Sequence, residues 1–174
     1  MRVLGIDPGS VTCGFGVVDE EGQTIFFVDA GGIATSPKHS FPDRLKRLYG
    51  GLEEVLSRCK PDVVAVENLF FAKNVQSALK LGHARGVAIL AAVNAGLPVF
   101  EYTPTEIKQA VVGYGGAEKT QVQQMVKTLL KLKVVPKPLD ASDALAAAIC
   151  HIHSARMKEA TSVRRPVQSR RSIR

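Results

Sequence analysis

The sequence predicts an α/β domain with a mixed five-stranded sheet flanked by helices. Two observations carry that expectation. Three strand-like segments follow one another at the start of the chain with only turns between them, as in an antiparallel meander. After them, two short apolar runs alternate with long stretches of helical periodicity, the pattern of strands crossed over by helices.

The elements follow in order. Arg2–Asp7 reads as a buried strand, ended by the turn residues Pro8, Gly9 and Ser10. Residues 15–19 and 24–33 read as two more strands, joined by a turn at Glu20, Glu21 and Gly22. A helix is expected over Phe41–Cys59, with Leu45, Leu48, Leu52, Val55 and Leu56 on one stripe. Residues 62–67 (DVVAVE) make a short apolar strand that ends in a carboxylate. Residues 75–95 read as a helix that is apolar on most sides in its second half, hence either central to the core or shared with a partner chain. Residues 98–102 are the fifth strand. Thr103, Pro104 and Glu106 then supply a cap, a first-turn proline and a third-position acid for the next helix. A glycine-rich turn at 113–116 precedes a helix with Val122, Met125, Val126, Leu129 and Leu130 on one face. The final helix is expected from about Leu139 to Arg156. Residues 1–157 are thus read as one domain. Residues 158–174, rich in Ser and Arg with Pro166 and no periodicity, are read as a disordered basic tail.

Composition narrows the class. With 174 residues, 45% hydrophobic and 22% charged, the chain suits one ordinary globular domain. No secretory signal is legible at the N-terminus. The longest apolar stretch, residues 87–99, is too short to span a bilayer and contains Asn94. Cys13, Cys59 and Cys150 are widely spaced and odd in number, which argues against a disulfide framework or a zinc site; a cytoplasmic protein without membrane attachment is expected. The formal charge is +7, unevenly spread: residues 155–174 hold seven basic residues against one acidic. The body is nearly neutral, so nucleic-acid binding by it would need a local patch.

Four acids stand out by position. Asp7 ends the first strand and Glu67 ends the DVVAVE strand; adjacent strand ends of an α/β sheet converge where sites are built. Asp140 and Asp143 are spaced i, i+3 on the last helix and share a face. If that helix begins beside the strand ends, the four form one acidic cluster. Hard oxygen ligands without His or Cys select Mg²⁺ or Mn²⁺. Two such ions, roughly 4 Å apart, can activate a water and stabilise the leaving oxygen of a phosphodiester. Each acid alone also has an ordinary role open to it: Asp7 in a turn, Glu67 as a solvated strand end, Asp140 and Asp143 in the favourable first turn of a helix. The combination points to chemistry.

The segments LGIDPGSVTCGFGVV, ENLFFAKNVQSALKLGHARGVAI, PVFEYTPTEIKQAVVGYGGAEKTQVQQMVKTLLKL and LDASDALAAAICHIH closely resemble the RuvC family of Holliday-junction resolvases, over residues 1 to about 155. The resemblance implies a ribonuclease H-like fold and a homodimer that cuts four-way DNA junctions by paired, symmetric nicks. It also implies Mg²⁺-dependent hydrolysis with two ions per site, Mn²⁺ substituting, that leaves 5′-phosphate ends. Asp7, Glu67, Asp140 and Asp143 match the catalytic metal ligands; some relatives carry His where this chain has Asp140. A RuvA–RuvB branch-migration complex is the implied partner, in DNA recombination and repair.

Residues that would handle DNA lie near these acids. Phe70 and Phe71 follow Glu67, and an aromatic there can stack on an unpaired base. By the resemblance Phe70 is the stacking residue and Phe71 packs. Lys119 opens a helix, where a cation gains nothing from the dipole, which suggests a ligand. By the resemblance Lys108 and Lys119 both match lysines at the scissile phosphate. Lys73, with Lys80 and Arg85, is a candidate for backbone contacts. His151 falls two turns beyond the acids on the same helix face, too far to share an ion; structural roles are expected for it, His153 and His83. Two other functions remain open on sequence alone. Asp7-Pro8-Gly9 resembles the opening of nucleotide-binding phosphotransferases of the actin and hexokinase superfamily, although these need a second similar domain. A non-catalytic junction-binding scaffold is the other.

Overall fold

The computed structural model describes residues 1–68 and 75–163 of the chain. The elements run β1 (Arg2–Asp7), β2 (Thr12–Glu21), β3 (Thr24–Ala34), α1 (Phe41–Cys59), β4 (Val63–Glu67), α2 (Val75–Asn94), β5 (Val99–Tyr102), α3 (Pro104–Val112), α4 (Lys119–Leu129) and α5 (Leu139–Val163). They build one mixed sheet in the order β3-β2-β1-β4-β5. The β1–β2 and β2–β3 pairs are antiparallel, whereas β4 runs parallel to β1 and β5 parallel to β4.

Alternation along each strand sorts the core into two layers. Val3, Val18, Val63 and Ala65 face a cluster with Ile107, Val111, Val122, Val126, Leu145, Ile149 and Ile152, which covers one side with α3, α4 and α5. Leu4, Ile6, Val17, Val64 and Val66 face the opposite side, where Leu48, Leu52 and Val55 of α1 and Ala84, Ala88 and Ala91 of α2 cover them.

One contact between the sheet and the helices that cover it is unusually close. Gly5 pairs with Gly16 across β1 and β2, and Gly14 stands opposite Asp7. A Cβ on Gly5 would fall 1.9 Å from the Ala144 carbonyl oxygen, one on Gly14 2.1 Å from the Asp140 carbonyl oxygen, and one on Gly16 2.6 Å from the Leu145 side chain. The backbone of α5 therefore rests directly on the backbone of the sheet. The helix meets the glycines with small residues of its own, Ala141, Ala144 and Ala148, all fully buried.

The termini of the elements show where sequence patterns mislead. β2 starts at Thr12 rather than at residue 15, because Gly14 and Gly16 lower strand propensity while serving α5. α2 is not central to the core: it buries Ala84, Ala88, Ala91 and Ala92 but leaves Val75, Leu79, Leu90 and Val93 exposed. α5 continues to Val163, past the end expected at Arg156, so the boundary expected at 157/158 falls inside it. Met157, Lys158, Glu159 and Ala160 are good helix formers, and Arg156 ties the helix to the β2–β3 turn. Its Nε donates to Glu20 Oε1 at 2.6 Å and its Nη2 to the Gly22 carbonyl at 3.2 Å. Residues 164–174 lie outside the described residues. Among the described residues no helix is long and apolar enough to cross a membrane.

Gly5→Ala forces α5 off the sheet or strains its backbone. A loss of about 3 kcal/mol is expected, measured as a lower urea midpoint at unchanged slope. A loss under about 0.5 kcal/mol, within the range of an ordinary surface substitution, would mean that the helix does not sit that close.

Candidate active site

The parallel pairing of β1 with β4, in register at Ile6 and Val66, places Asp7 and Glu67 side by side at one rim of the sheet. Docking of α5 on the glycines brings its first turn to the same rim. Oxygens of Asp7, Asp140 and Asp143 lie within 4.8 Å of one another. Glu67 stands outside this triad but is hydrogen-bonded to Asp7. The Asp140 carbonyl against Gly14 fixes the height of the helix start above β2.

All four acids are half-buried, and the crowding of like charge is severe. Burial, then the charges of Glu67, Asp143 and Asp140, pushes the Asp7 carboxyl up to about 8, while Lys119 works against the rise. Burial and the Asp143 charge also raise Glu67, although its hydrogen bond from Asp7 and the charges of Lys119 and Lys108 oppose this. Burial raises Asp143, offset in part by Lys119.

Two lysines supply the positive charge. Lys108 of α3 and Lys119 of α4 line a cavity of about 310 Å³ together with Asp7, Glu67 and Asp143. Lys119 Nζ pairs with Asp143 Oδ2 at 2.5 Å. Burial alone would lower this ammonium, but the Asp143 hydrogen bond and the Asp143, Asp7 and Asp140 charges more than restore it. Pro104, Ile107, Val122 and Ala146 form the apolar wall of the cavity. Pro104 opens α3 under the expected cap: the Glu106 N–H donates to Thr103 Oγ1 at 3.3 Å, and the Thr103 N–H donates to Glu106 Oε2 at 2.7 Å.

The other expected residues divide plainly. Phe70, Phe71 and Lys73 lie outside the described residues. Arg85 is ion-paired with Glu101, and Lys80 is exposed. His151 is buried with its Nδ1 2.8 Å from the Tyr102 hydroxyl, and burial pushes its pKa down. His153 Nδ1 meets the Ala110 carbonyl at 2.9 Å, and His83 Nδ1 meets the Leu79 carbonyl at 2.6 Å. These contacts are structural. Sequence reasoning missed Gly5, Gly14 and Gly16, whose signal was the alternating G-x-D and G-x-G spacing at the strand ends.

An all-carboxylate donor set, half-buried and short of positive charge, suits a hard divalent cation. On the rim of an α/β sheet, with lysines beside it, such a set defines a class of site that handles phosphate esters. The family model described as "Crossover junction endodeoxyribonuclease RuvC" matches residues 3–151. The chain belongs to the RuvC family. It is 58% identical over 157 residues to the crossover junction endodeoxyribonuclease RuvC of Geobacter sp. (strain M21), covering 90% of this chain and 95% of the relative. The Thermus thermophilus RuvC structure matches with a TM-score of 0.84 at 41% identity, covering 91% of this chain and 97% of that one. T. thermophilus RuvC in complex with Holliday junction substrate matches with a TM-score of 0.86, also at 41% identity, over 91% of this chain and 96% of that one. The fold is ribonuclease H-like, and the family assignment sets aside the phosphotransferase reading.

Carboxyls raised in the fold weaken it when they ionise. Asp7, at about 8 folded against 3.8 ordinarily, adds no cost below pH 4 and a growing cost as pH climbs toward 8. With a chelator present, Asp7→Asn is therefore expected to stabilise the protein by about 2 kcal/mol at pH 8 and by almost nothing at pH 4. Urea unfolding at the two pH values checks this, and a gain independent of pH contradicts the electrostatic cause.

Proposed function

We propose that this chain is a crossover junction endodeoxyribonuclease that resolves four-way DNA junctions by hydrolysing phosphodiesters. The observation that carries the reading is the convergence of Asp7, Asp140 and Asp143, with Glu67 bonded to Asp7, in a member of the RuvC family. Asp7, Glu67, Asp140 and Asp143 would hold the divalent ions, Mg²⁺ with two per site and Mn²⁺ as substitute. Bound there, such ions activate a water and stabilise the leaving oxygen of the phosphodiester.

The chain's own residues do the rest. Lys108 and Lys119 line the same cavity and offer positive charge to the phosphate as negative charge builds on it. The apolar wall of Pro104, Ile107, Val122 and Ala146 keeps bulk water from that side, which strengthens each of these interactions. Phe70 is assigned to stacking on a base at the junction centre and Lys73 to the DNA backbone. Residues 1–157 are assigned to the nuclease domain. The tail from residue 158, which opens inside α5, is assigned to nonspecific contact with DNA.

A four-way junction has two-fold symmetry, and a two-fold dimer would present two such sites to strands of like polarity. The surface of α2 supports this arrangement. Leu45, Leu79, Val87 and Leu90 line a shallow groove of about 500 Å³ around Gly82 and Gly86, where a second helix can approach closely. A homodimer built on α2, working with RuvA and RuvB in the cytoplasm, completes the reading.

The direct test incubates the protein with a synthetic four-way junction and with linear duplex of equal sequence, with and without Mg²⁺. Paired nicks with 5′-phosphate ends are expected on the junction alone, and only with Mg²⁺. Asp7→Asn is expected to lower cutting at least about a thousandfold while junction affinity in a gel-shift assay stays within a few fold. Junction binding that ignores metal and yields no product at any Mg²⁺ or Mn²⁺ concentration would identify a scaffold instead.

The dimer has a separate test. Leu79→Asp with Leu90→Asp changes exposed positions, so the fold should survive. Sedimentation is expected to show a monomer, and paired nicking should give way to single nicks. A variant that still sediments as a dimer places the interface elsewhere.

A further inference from the structure

Lys119 sits where the helix gains nothing from it. As the first residue of α4 its ammonium opposes the helix dipole, yet its charge is spent on Asp143 at 2.5 Å. Asp143 is also one of the three acids whose oxygens cluster within 4.8 Å. A divalent ion held by that triad and the Lys119 ammonium thus claim the same carboxylate. The lysine side chain is 58% exposed, so its four-carbon stem is free to swing away, whereas Asp143 is only 16% exposed and fixed on α5. Lys108 lines the same cavity but has no ion-pair partner among the described residues.

We propose that Lys119 is a built-in competitor for the divalent-ion site, contending with the ion for Asp143, so that ion loading releases its ammonium toward the substrate phosphate. The inference rests on the reading of Asp7, Asp140 and Asp143 as ion ligands. Its consequence is an ordered hand-over. With Asp143 neutralised by Lys119, the protein holds divalent ions weakly by itself. A phosphate that draws Lys119 away leaves Asp143 to the ion, so DNA and ion reinforce each other's binding, and by reciprocity the effect is equal in both directions. Ion loading is thereby tied to the presence of something to cut.

Mn²⁺ binding to the full-length protein without DNA tests this, with free Mn²⁺ followed by its electron paramagnetic resonance signal. Lys119→Gln is expected to tighten Mn²⁺ binding on the order of tenfold. Lys119→Arg, which keeps a cation able to pair with Asp143, should match the unaltered chain. Lys108→Gln removes the same charge from the same cavity without freeing Asp143 and should move the affinity by much less. Circular dichroism checks folding, and Lys119→Met serves if the Gln variant does not fold. The competition is overturned if Lys119→Gln leaves Mn²⁺ affinity unchanged or weaker, if Lys119→Arg tightens it too, or if Lys108→Gln tightens it equally, since the last would mean a general field rather than a contest for one carboxylate. If no variant retains Mn²⁺, the ion-ligand reading itself falls; if the unaltered chain retains it and Lys119→Gln behaves alike, only the competition falls.

Discussion

The architecture depends on backbone touching backbone where α5 crosses β1 and β2. Packed sheets ordinarily stand about 10 Å apart, because side chains fill the gap between layers. Here Gly5, Gly14 and Gly16 empty that gap, and Ala141, Ala144 and Ala148 answer from the helix. The helix can then lower its first turn to the rim of the sheet, and two of its acids come into range of Asp7. Any bulk in this seam would lift the helix and disperse the oxygens. Packing and chemistry are one constraint in this molecule.

That arrangement sets stability against function. Half-buried carboxylates repel one another, and two lysines at the cavity are few against four acids. The fold tolerates the strain because the rest of the core is ordinary and well alternated, with large apolar groups such as Leu4, Ile6, Leu145 and Ile149 fully buried. The hydrogen bond between Asp7 and Glu67 and the ion pair of Lys119 with Asp143 both offset the same repulsion. Cations of higher charge would relieve it more, which is the physical basis of their affinity for such a site.

Most local structure could be read from the chain itself. The apolar run of β4 (VVAVE), the leucine stripe of α1 and the capping box of Thr103 and Glu106 each appear where the residue pattern places them. Local rules failed where tertiary packing overrode propensity. Glycines in β2 look like loop until α5 is laid across them, and the apolar pattern of α2 fits a central helix and a partner-facing one alike until its exposed face is seen. The meeting of Asp7 with Asp140 was harder still, since more than a hundred residues separate them and no short-range pattern encodes the distance. Strand-end position supplied half of that inference for Asp7 and Glu67, and the i, i+3 spacing supplied the pairing of Asp140 with Asp143. The docking that joins the two halves is written only in the glycines, which carry no chemistry of their own. Of the expected DNA contacts, Lys108 and Lys119 do reach the acidic cavity.

α5 also acts as a ruler. Its first turn carries Asp140 and its last described residue is Val163, 23 residues on, which at 1.5 Å per residue is about 35 Å of rigid rod. Arg156 clamps the far half to Glu20 and Gly22 on the β2–β3 turn, so the rod cannot pivot freely. One turn of B-form duplex is about 34 Å. The described end of α5 therefore lies roughly one helical repeat from the acids on its first turn. One element thus holds two fixed points of the fold at a set separation, the acidic cluster at one end and the β2–β3 turn toward the other.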